Sequence, residues 1–248
     1  MISKAKVKHI KALQVKKYRK EQQCFVVEGT KSVVELLNSD FEVLWVAASE
    51  EFGEAKQQIL RLRGVEWVTA TPTELMAAGS FKTNDGALAI ARMKPNIKPK
   101  VTPGHLAVML DDIRDPGNLG TIIRTADWYG IKHVIASEET ADLYNPKVIS
   151  ATMGSFCRVN VFYTNLIDFL SEYPGPVLGA FMDGTDVHTL QVTGGGVLVI
   201  GNESNGISAA VARYVTERIT IPRVGKAESL NAAIATGIIL DVIHQKND

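Results

Sequence analysis

The feature that most restricts the fold is a series of short, nearly continuous apolar runs, each followed by a stretch with helical spacing. In the second part of the chain the runs are LAVML (106–110), HVIA (133–136), VNVFY (159–163), VLGAF (177–181), VLVI (197–200) and RITI (218–221). The stretches 117–129, 145–154, 165–172, 205–215 and 229–245 carry helical signals. A strand that is apolar on both sides needs both faces covered, which is the situation in a parallel sheet flanked by helices. The pattern predicts an α/β domain with a mostly parallel sheet over 105–248.

A smaller α/β unit is expected before it, over 21–91. Its strand signals are Phe25-Val26-Val27, VLWVAA (43–48), VEWVTA (65–70) and ALAIA (87–91). Its helices are expected at 30–38, at 49–62, and after Thr71 as N-cap with Pro72 at the first helical position. The stretch 92–104 (RMKPNIKPKVTPG) has three prolines, four basic residues and no acid. Proline removes backbone donors and favours extended chain, so this stretch reads as a semi-rigid basic linker.

Charge is balanced in total, at 27 basic and 27 acidic residues, but not along the chain. Residues 1–20 carry Lys4, Lys6, Lys8, Lys11, Lys16, Lys17, Arg19 and Lys20 and no acid, which leaves the remaining 228 residues with an excess of eight acids. A basic arm on a mildly acidic body suits a polyanionic partner such as RNA, or is simply a solvated face. Cys24 and Cys157 stand far apart with no metal-ligand spacing, so neither a disulfide framework nor a metal site is expected. The five histidines are scattered, with no triad or metal spacing. No apolar run approaches the ~18–20 residues of a membrane span, and the start of the chain has no secretory apolar region. A cytoplasmic protein is expected.

Three segments combine polar residues at the ends of strands. The first is DDIRDPGNLGTIIRTADWYG (111–130), with Asn118 and, six residues on, Arg124 among apolar neighbours. Arg124 reads either as the partner of Asp111 or Asp112 or as a phosphate ligand. The second is VLVIGNESNGIS (197–208), a strand ending on Gly201, with Glu203 and Gly206 behind it; it is neither a P-loop nor a dinucleotide fingerprint. It reads as a structural turn or as a ligand's approach to the backbone. The Gly194-Gly195-Gly196 run before that strand reads as a loop. The third is ITIPRVGKAESLNAAIATGIILDVI (219–243), in which Glu228 or Ser229 caps a helix with Leu230, Ala233, Ile234, Gly237, Ile238 and Val242 on one face. Ser229 and Asn231 are capping groups or face a ligand. Trp45, Trp67 and Trp128 read as core.

In this order and spacing the three segments closely resemble the SpoU/TrmH branch of the SPOUT RNA methyltransferases. The resemblance covers roughly 106–245 and rests on Asn118…Arg124-Thr125-Ala126 with Gly130, on Leu198-Val199-Ile200-Gly201-Asn202-Glu203 with Gly206, and on Ile221-Pro222, Gly225 and Ser229-Leu230-Asn231. Residues 21–91 look like the small substrate-binding domain that precedes it in many members. The resemblance implies a deep trefoil knot in the C-terminal domain, an exception to unknotted topology. It also implies S-adenosylmethionine as cofactor, with Gly201, Ile221 and Leu230 at the cofactor, and a homodimer.

The implied reaction is methyl transfer to a ribose 2′-hydroxyl of RNA, ribosomal RNA before transfer RNA. The implied site residues are Arg124, Asn118, Glu203, Ser229 and Asn231. A guanidinium stays protonated at neutral pH, so the arginine suits gripping a phosphate and stabilising oxyanion charge better than accepting a proton. Glu203 is the better proton acceptor, unless it only holds its loop. Base methylation by the same fold and a non-catalytic RNA-binding or ribosome-assembly factor remain the other readings.

Overall fold

The computed structural model describes residues 1–84, 86–190 and 195–246. The chain divides into two units, Met1–Pro95 with Asp142–Arg158, and Asn96–Ala141 with Val159–Asp248.

The first unit begins with helices α1 (Lys4–Leu13) and α2 (Lys16–Gln22). Then follow β1 (Cys24–Glu28), α3 (Thr30–Leu37), β2 (Val43–Ala48), α4 (Glu50–Ala55), α5 (Gln57–Leu62), β3 (Glu66–Thr69), α6 (Pro72–Ala78) and β4 (Ala87–Arg92). The four strands form one mixed sheet in the order β1-β4-β2-β3. The basic arm is not a tail. Ser3 caps α1, and Ile2, Ile10 and Leu13 enter the core beside Val26, Trp45 and Ile90. Lys4, Lys8 and Lys11, at helical spacing, form an exposed stripe on α1. Arg19 is only 2% exposed; it donates to the carbonyls of Leu13 and Gln14, where α1 ends, and to Asp142 Oδ2 at 2.7 Å. The helix expected over 49–62 is broken at Lys56, whose φ of −113° and ψ of 9° separate α4 from α5. At Thr71 the expected cap is present as a full capping box with Glu74.

The second unit holds β5 (Leu106–Asp111), α7 (Pro116–Trp128), β6 (His133–Ala136), β7 (Asn160–Tyr163), α9 (Leu166–Ser171), β8 (Val177–Asp186), β9 (Gly196–Gly201), α10 (Ala209–Ala212), β10 (Glu217–Thr220) and α11 (Ala232–Gln245). Between β6 and β7 the chain leaves to build α8 (Pro146–Thr152) and a 3-10 turn (Ser155–Cys157), which belong to the first unit. The reason is aromatic packing. Tyr144 and Phe156 lie 4.6 and 6.0 Å, between ring centroids, from Phe25 of β1. The stretch expected to be one continuous 105–248 domain is therefore interrupted at 142–158. The linker 92–104 is extended and tied down: Lys94 Nζ donates to Asp40, and the Asn96 side chain exchanges two hydrogen bonds with the Tyr163 backbone.

The six strands of the second unit are all parallel, in the order β10-β8-β9-β5-β6-β7. From β5 the chain builds outward through β6 and β7, then crosses to the other side for β8, β9 and β10. The order thus reverses at β5 and β9, which run side by side with Asp111 opposite Gly201. In open α/β sheets a ligand crevice forms beyond the carboxyl ends of strands at such a reversal. The helix signal over 205–215 shrinks to the four residues of α10, capped by Ser208. Of the three-glycine run, Gly194 lies outside the described residues, and Gly196 starts β9 rather than a loop, at φ +142°. Among the described residues no helix is long and apolar enough to cross a membrane.

Candidate functional site

Three groups from distant parts of the sequence meet at the β5/β9 edge. Asp115 caps α7 by accepting from the Asn118 N–H at 2.8 Å, with Pro116 at the first helical position. That places the Asn118 side chain beyond the carboxyl ends of β5 and β9, within reach of Glu203. Its Nδ2 donates to Glu203 Oε1 at 2.5 Å, and its Oδ1 accepts from Asn231 Nδ2 at 2.9 Å. Asn231, Asn118 and Glu203 therefore form one hydrogen-bonded chain across the three segments. It uses Glu203 Oε1; Oε2 has no protein partner among the described residues.

Asn231 does more than join this chain. It is the N-cap of α11, accepting from the N–H groups of Ala233 and Ile234. Of the candidate caps, Asn231 is the one used; Glu228 and Ser229 lie ahead of the helix in exposed coil. Ser229 makes no hydrogen bond among the described residues. Asparagine outcompetes them because one side chain can serve two orphan helix donors with its oxygen and still donate with its nitrogen.

Arg124 is exposed, not buried among its apolar neighbours. At about 100° per residue, Ile122, Ile123 and Ala126 turn inward while position 124 turns out. Neither proposed acid is its partner. Asp112 Oδ1 accepts from Arg114 Nε at 2.7 Å, and Asp111 Oδ2 accepts from the Ser208 N–H at 2.7 Å. Among the described residues the Arg124 guanidinium has no partner. Trp128, one turn further along the same face, is 84% exposed and not core.

At the cofactor positions expected from sequence, Gly201 ends β9, Ile221 follows β10, and Leu230 is 46% exposed ahead of α11. A Cβ at Gly201 would lie 2.1 Å from Gly206 C and 2.2 Å from Ile207 N. Glycine is thus already required by the chain's own turn, whatever binds beside it. Residues 222–230 are exposed coil and make no backbone–backbone hydrogen bond among the described residues. Arg223 Nη1 bridges this loop to the Ala227 carbonyl at 3.1 Å. Free main-chain donors and acceptors beside a strand end suit a ligand whose heterocycle is read by backbone groups, and S-adenosylmethionine is such a ligand. Asn202 and Asp112, in the sequence only a motif position and a candidate partner of Arg124, lock the ends of these two strands to each other. The Asn-x-x-x-Gly spacing of a tight turn, at 202 and 206, was the available signal.

The family profile described as SpoU rRNA methylase matches residues 105–241. The chain belongs to the SpoU rRNA methylase family. A second profile, the MRM3-like substrate binding domain, matches residues 4–89. Among curated relatives, the 23S rRNA (guanosine(2553)-2′-O)-methyltransferase RlmP of Bacillus subtilis is 29% identical over 95% of this chain and 94% of its own. The AdoMet-bound rRNA methyltransferase of Sinorhizobium meliloti is 31% identical, with a TM-score of 0.88 over 99% of this chain and 96% of that one. The SpoU methyltransferase AviRb of Streptomyces viridochromogenes, solved with AdoMet, is 25% identical, with a TM-score of 0.87 over 99% and 98%. The SpoU segments are thus the ones that supply Asn118, Glu203 and Asn231.

Proposed function

We propose that this protein is an S-adenosylmethionine-dependent RNA 2′-O-ribose methyltransferase acting on ribosomal RNA. The observation that carries the reading is the Asn231–Asn118–Glu203 chain at the β5/β9 reversal, with an unpartnered Arg124 on the same helix as Asn118. The relatives named above support ribosomal RNA as the substrate class. When bound, the cofactor supplies a methyl group on a sulfonium. Gly201, Ile221 and Leu230, with the open backbone of 222–230, would hold it.

The chain's own residues then have three tasks. Arg124 grips the phosphate beside the target ribose and offsets charge growing on the 2′-oxygen. Glu203 Oε2 takes the proton of the 2′-hydroxyl, leaving its oxygen free to accept the methyl group that the cofactor would supply. Asn118 and Asn231 keep the Glu203 carboxylate in place, and Ser229 faces the ribose or the cofactor. The exposed stripe of Lys4, Lys8 and Lys11 supplies phosphate contacts on the substrate-binding unit.

The working form is a homodimer in the cytoplasm, with the C-terminal chain knotted as the resemblance implies. Adjacent helices α7 and α11 expose Trp128 and Ile234, at 84% and 56%. Large apolar groups left open on neighbouring helices suit a second copy.

The test maps 2′-O-methyl sites in total RNA of a deletion strain against its parent, then adds purified protein and S-adenosylmethionine to the unmethylated RNA. The expected result is loss of a ribosomal RNA site and its restoration in vitro. A lost site in transfer RNA or on a base selects the corresponding alternative. No lost site and no transfer in vitro would leave the non-catalytic RNA-binding reading.

A further inference from the structure

We propose that Asn202 is a positioning residue for methyl transfer: its side-chain amide sets where the Glu203 carboxylate stands. The inference rests on the β5/β9 edge being the methyltransferase site, and it assigns work to a residue that touches neither ribose nor cofactor.

The turn that carries Glu203 is closed on itself. Asn202 N–H donates to the Gly206 carbonyl at 3.0 Å, and Gly206 N–H returns a bond to Asn202 at 2.8 Å. Asn202 Oδ1 accepts from the N–H groups of Ser204 and Asn205, at 2.9 and 3.2 Å. These bonds shape the turn but do not say where it sits. That is decided by Asn202 Nδ2, which donates to the Asp112 carbonyl on the neighbouring strand end at 2.8 Å. The same Nδ2 lies 3.4 Å from Asp112 Oδ2, so both contacts of the amide nitrogen go to Asp112; the other side-chain hydrogen bond leaving 202–206 among the described residues is the one from Asn118 to Glu203. The tether therefore sits one residue from the carboxylate whose place it sets.

The orientation of the amide is chemically determined. Turned over, its NH2 would face two N–H donors and its oxygen would face a carbonyl. The acceptor is equally constrained. Asp112 holds φ at +63°, in the left-handed region that a non-glycine residue adopts at a cost. It is kept there by its N–H donating to Ser137 Oγ at 3.1 Å and by Arg114 Nε donating to its carboxylate at 2.7 Å. This conformation directs the Asp112 carbonyl at Asn202. Behind it, Gly201 lets the 206–207 backbone pack where any Cβ would collide.

The test is a double-variant cycle of Asn202→Ala and Glu203→Ala, read by three measurements: single-turnover methyl transfer, calorimetric S-adenosylmethionine affinity, and the side-chain amide resonance of Asn118. Asn202→Ala should shift the Asn118 resonance towards its position in Glu203→Ala. It should slow transfer at least about tenfold, the effect of a slightly misplaced group, and leave cofactor affinity within about threefold. In the Glu203→Ala background it should cost nothing further, because a residue that acts through Glu203 has nothing left to act on. Asn202→Asp keeps the two turn acceptors but cannot donate to the Asp112 carbonyl, so it should be as slow as Asn202→Ala. A parental Asn118 resonance in Asn202→Ala, rate losses that multiply in the double variant, or a fully active Asn202→Asp would each overturn the proposal. If the parent protein transfers no methyl to any RNA, the site reading fails instead, and the Asn118 resonance still decides the role of Asn202.

Discussion

At the residue scale, Arg124 is the position where a structural and a chemical role separate most clearly. It is exposed and has no protein partner among the described residues, so Arg124→Ala removes no native contact. The variant should melt like the parent, within about 0.5 kcal/mol, the usual range for such a surface site. Single-turnover transfer should fall at least ~100-fold, as when one preorganised donor is lost. Arg124→Lys keeps the charge without the planar fork and should also be badly slowed. An Arg124→Ala protein with near-parental transfer would take the arginine out of the mechanism. The cysteines allow a second prediction. Burial pushes the Cys157 thiol up to about 12 and raises that of Cys24. A raised pKa means less thiolate at any pH below it; for Cys157 at pH 8 that is about one part in ten thousand. Native protein should therefore resist iodoacetamide at pH 8, and unfolded protein should take two adducts by mass spectrometry. Rapid labelling of native Cys157 would contradict the burial.

At the element scale, α1 and α2 differ from what their sequence suggests because of packing partners far along the chain. Residues 1–20 look like a solvated basic arm. They form α1 and α2 because Ile2, Ile10 and Leu13 find an apolar surface on the first sheet, and because Arg19 joins the end of α1 to Asp142. Deleting them should unfold the first unit, so their role in RNA binding needs a gentler probe. Changing Lys4, Lys8 and Lys11 to Gln touches only exposed positions and should leave the melting temperature alone. The slope of log affinity against log salt should become shallower by about 0.7–0.9 per lost phosphate contact. An unchanged slope would show that the stripe does not meet RNA. Arg19→Ala is the opposite case. It leaves Asp142, itself 16% exposed, and two helix-end carbonyls without their donor. A cost of about 3–5 kcal/mol is expected, seen as a lower unfolding midpoint in urea. A midpoint shift worth less than about 1 kcal/mol would mean the pair is not a buried staple.

For the whole molecule, the proposed assembly turns on α7 and α11. Facing core, α11 buries Ala232, Ala233, Thr236, Ile239, Leu240 and Ile243, and Gly237 lies against Thr125 of α7. The face expected from the sequence pattern, Leu230, Ala233, Ile234, Gly237, Ile238 and Val242, suits core or interface; Ala233 is buried, while Leu230 and Ile234 are exposed. A helix that is apolar nearly all round satisfies either assignment, so the pattern could not choose between core and interface. Trp128→Glu and Ile234→Glu should each yield a folded monomer by sedimentation, with methyl transfer lost if the active site is completed by the partner. Dimers that persist in both variants would place the interface elsewhere.

The strands, the parallel sheet and the motifs were legible because they are local. Continuous apolar runs require two covered faces, and Pro116, Pro72 and Thr71 act within one turn of themselves. Asn118, Glu203 and Asn231 could be named individually for the same reason. Tertiary structure alone decided what those residues touch. The strand reversal at β5 and β9 brings together groups up to 113 positions apart in the sequence. The Asn231–Asn118–Glu203 chain and the reach of Asn202 to Asp112 follow from that closure. The placement of 142–158 with the first unit has a separate tertiary cause, the packing of four aromatic rings from distant segments. Sequence pattern records which face of an element is apolar; it carries no record of which distant surface covers it, because burial is a property of the pair.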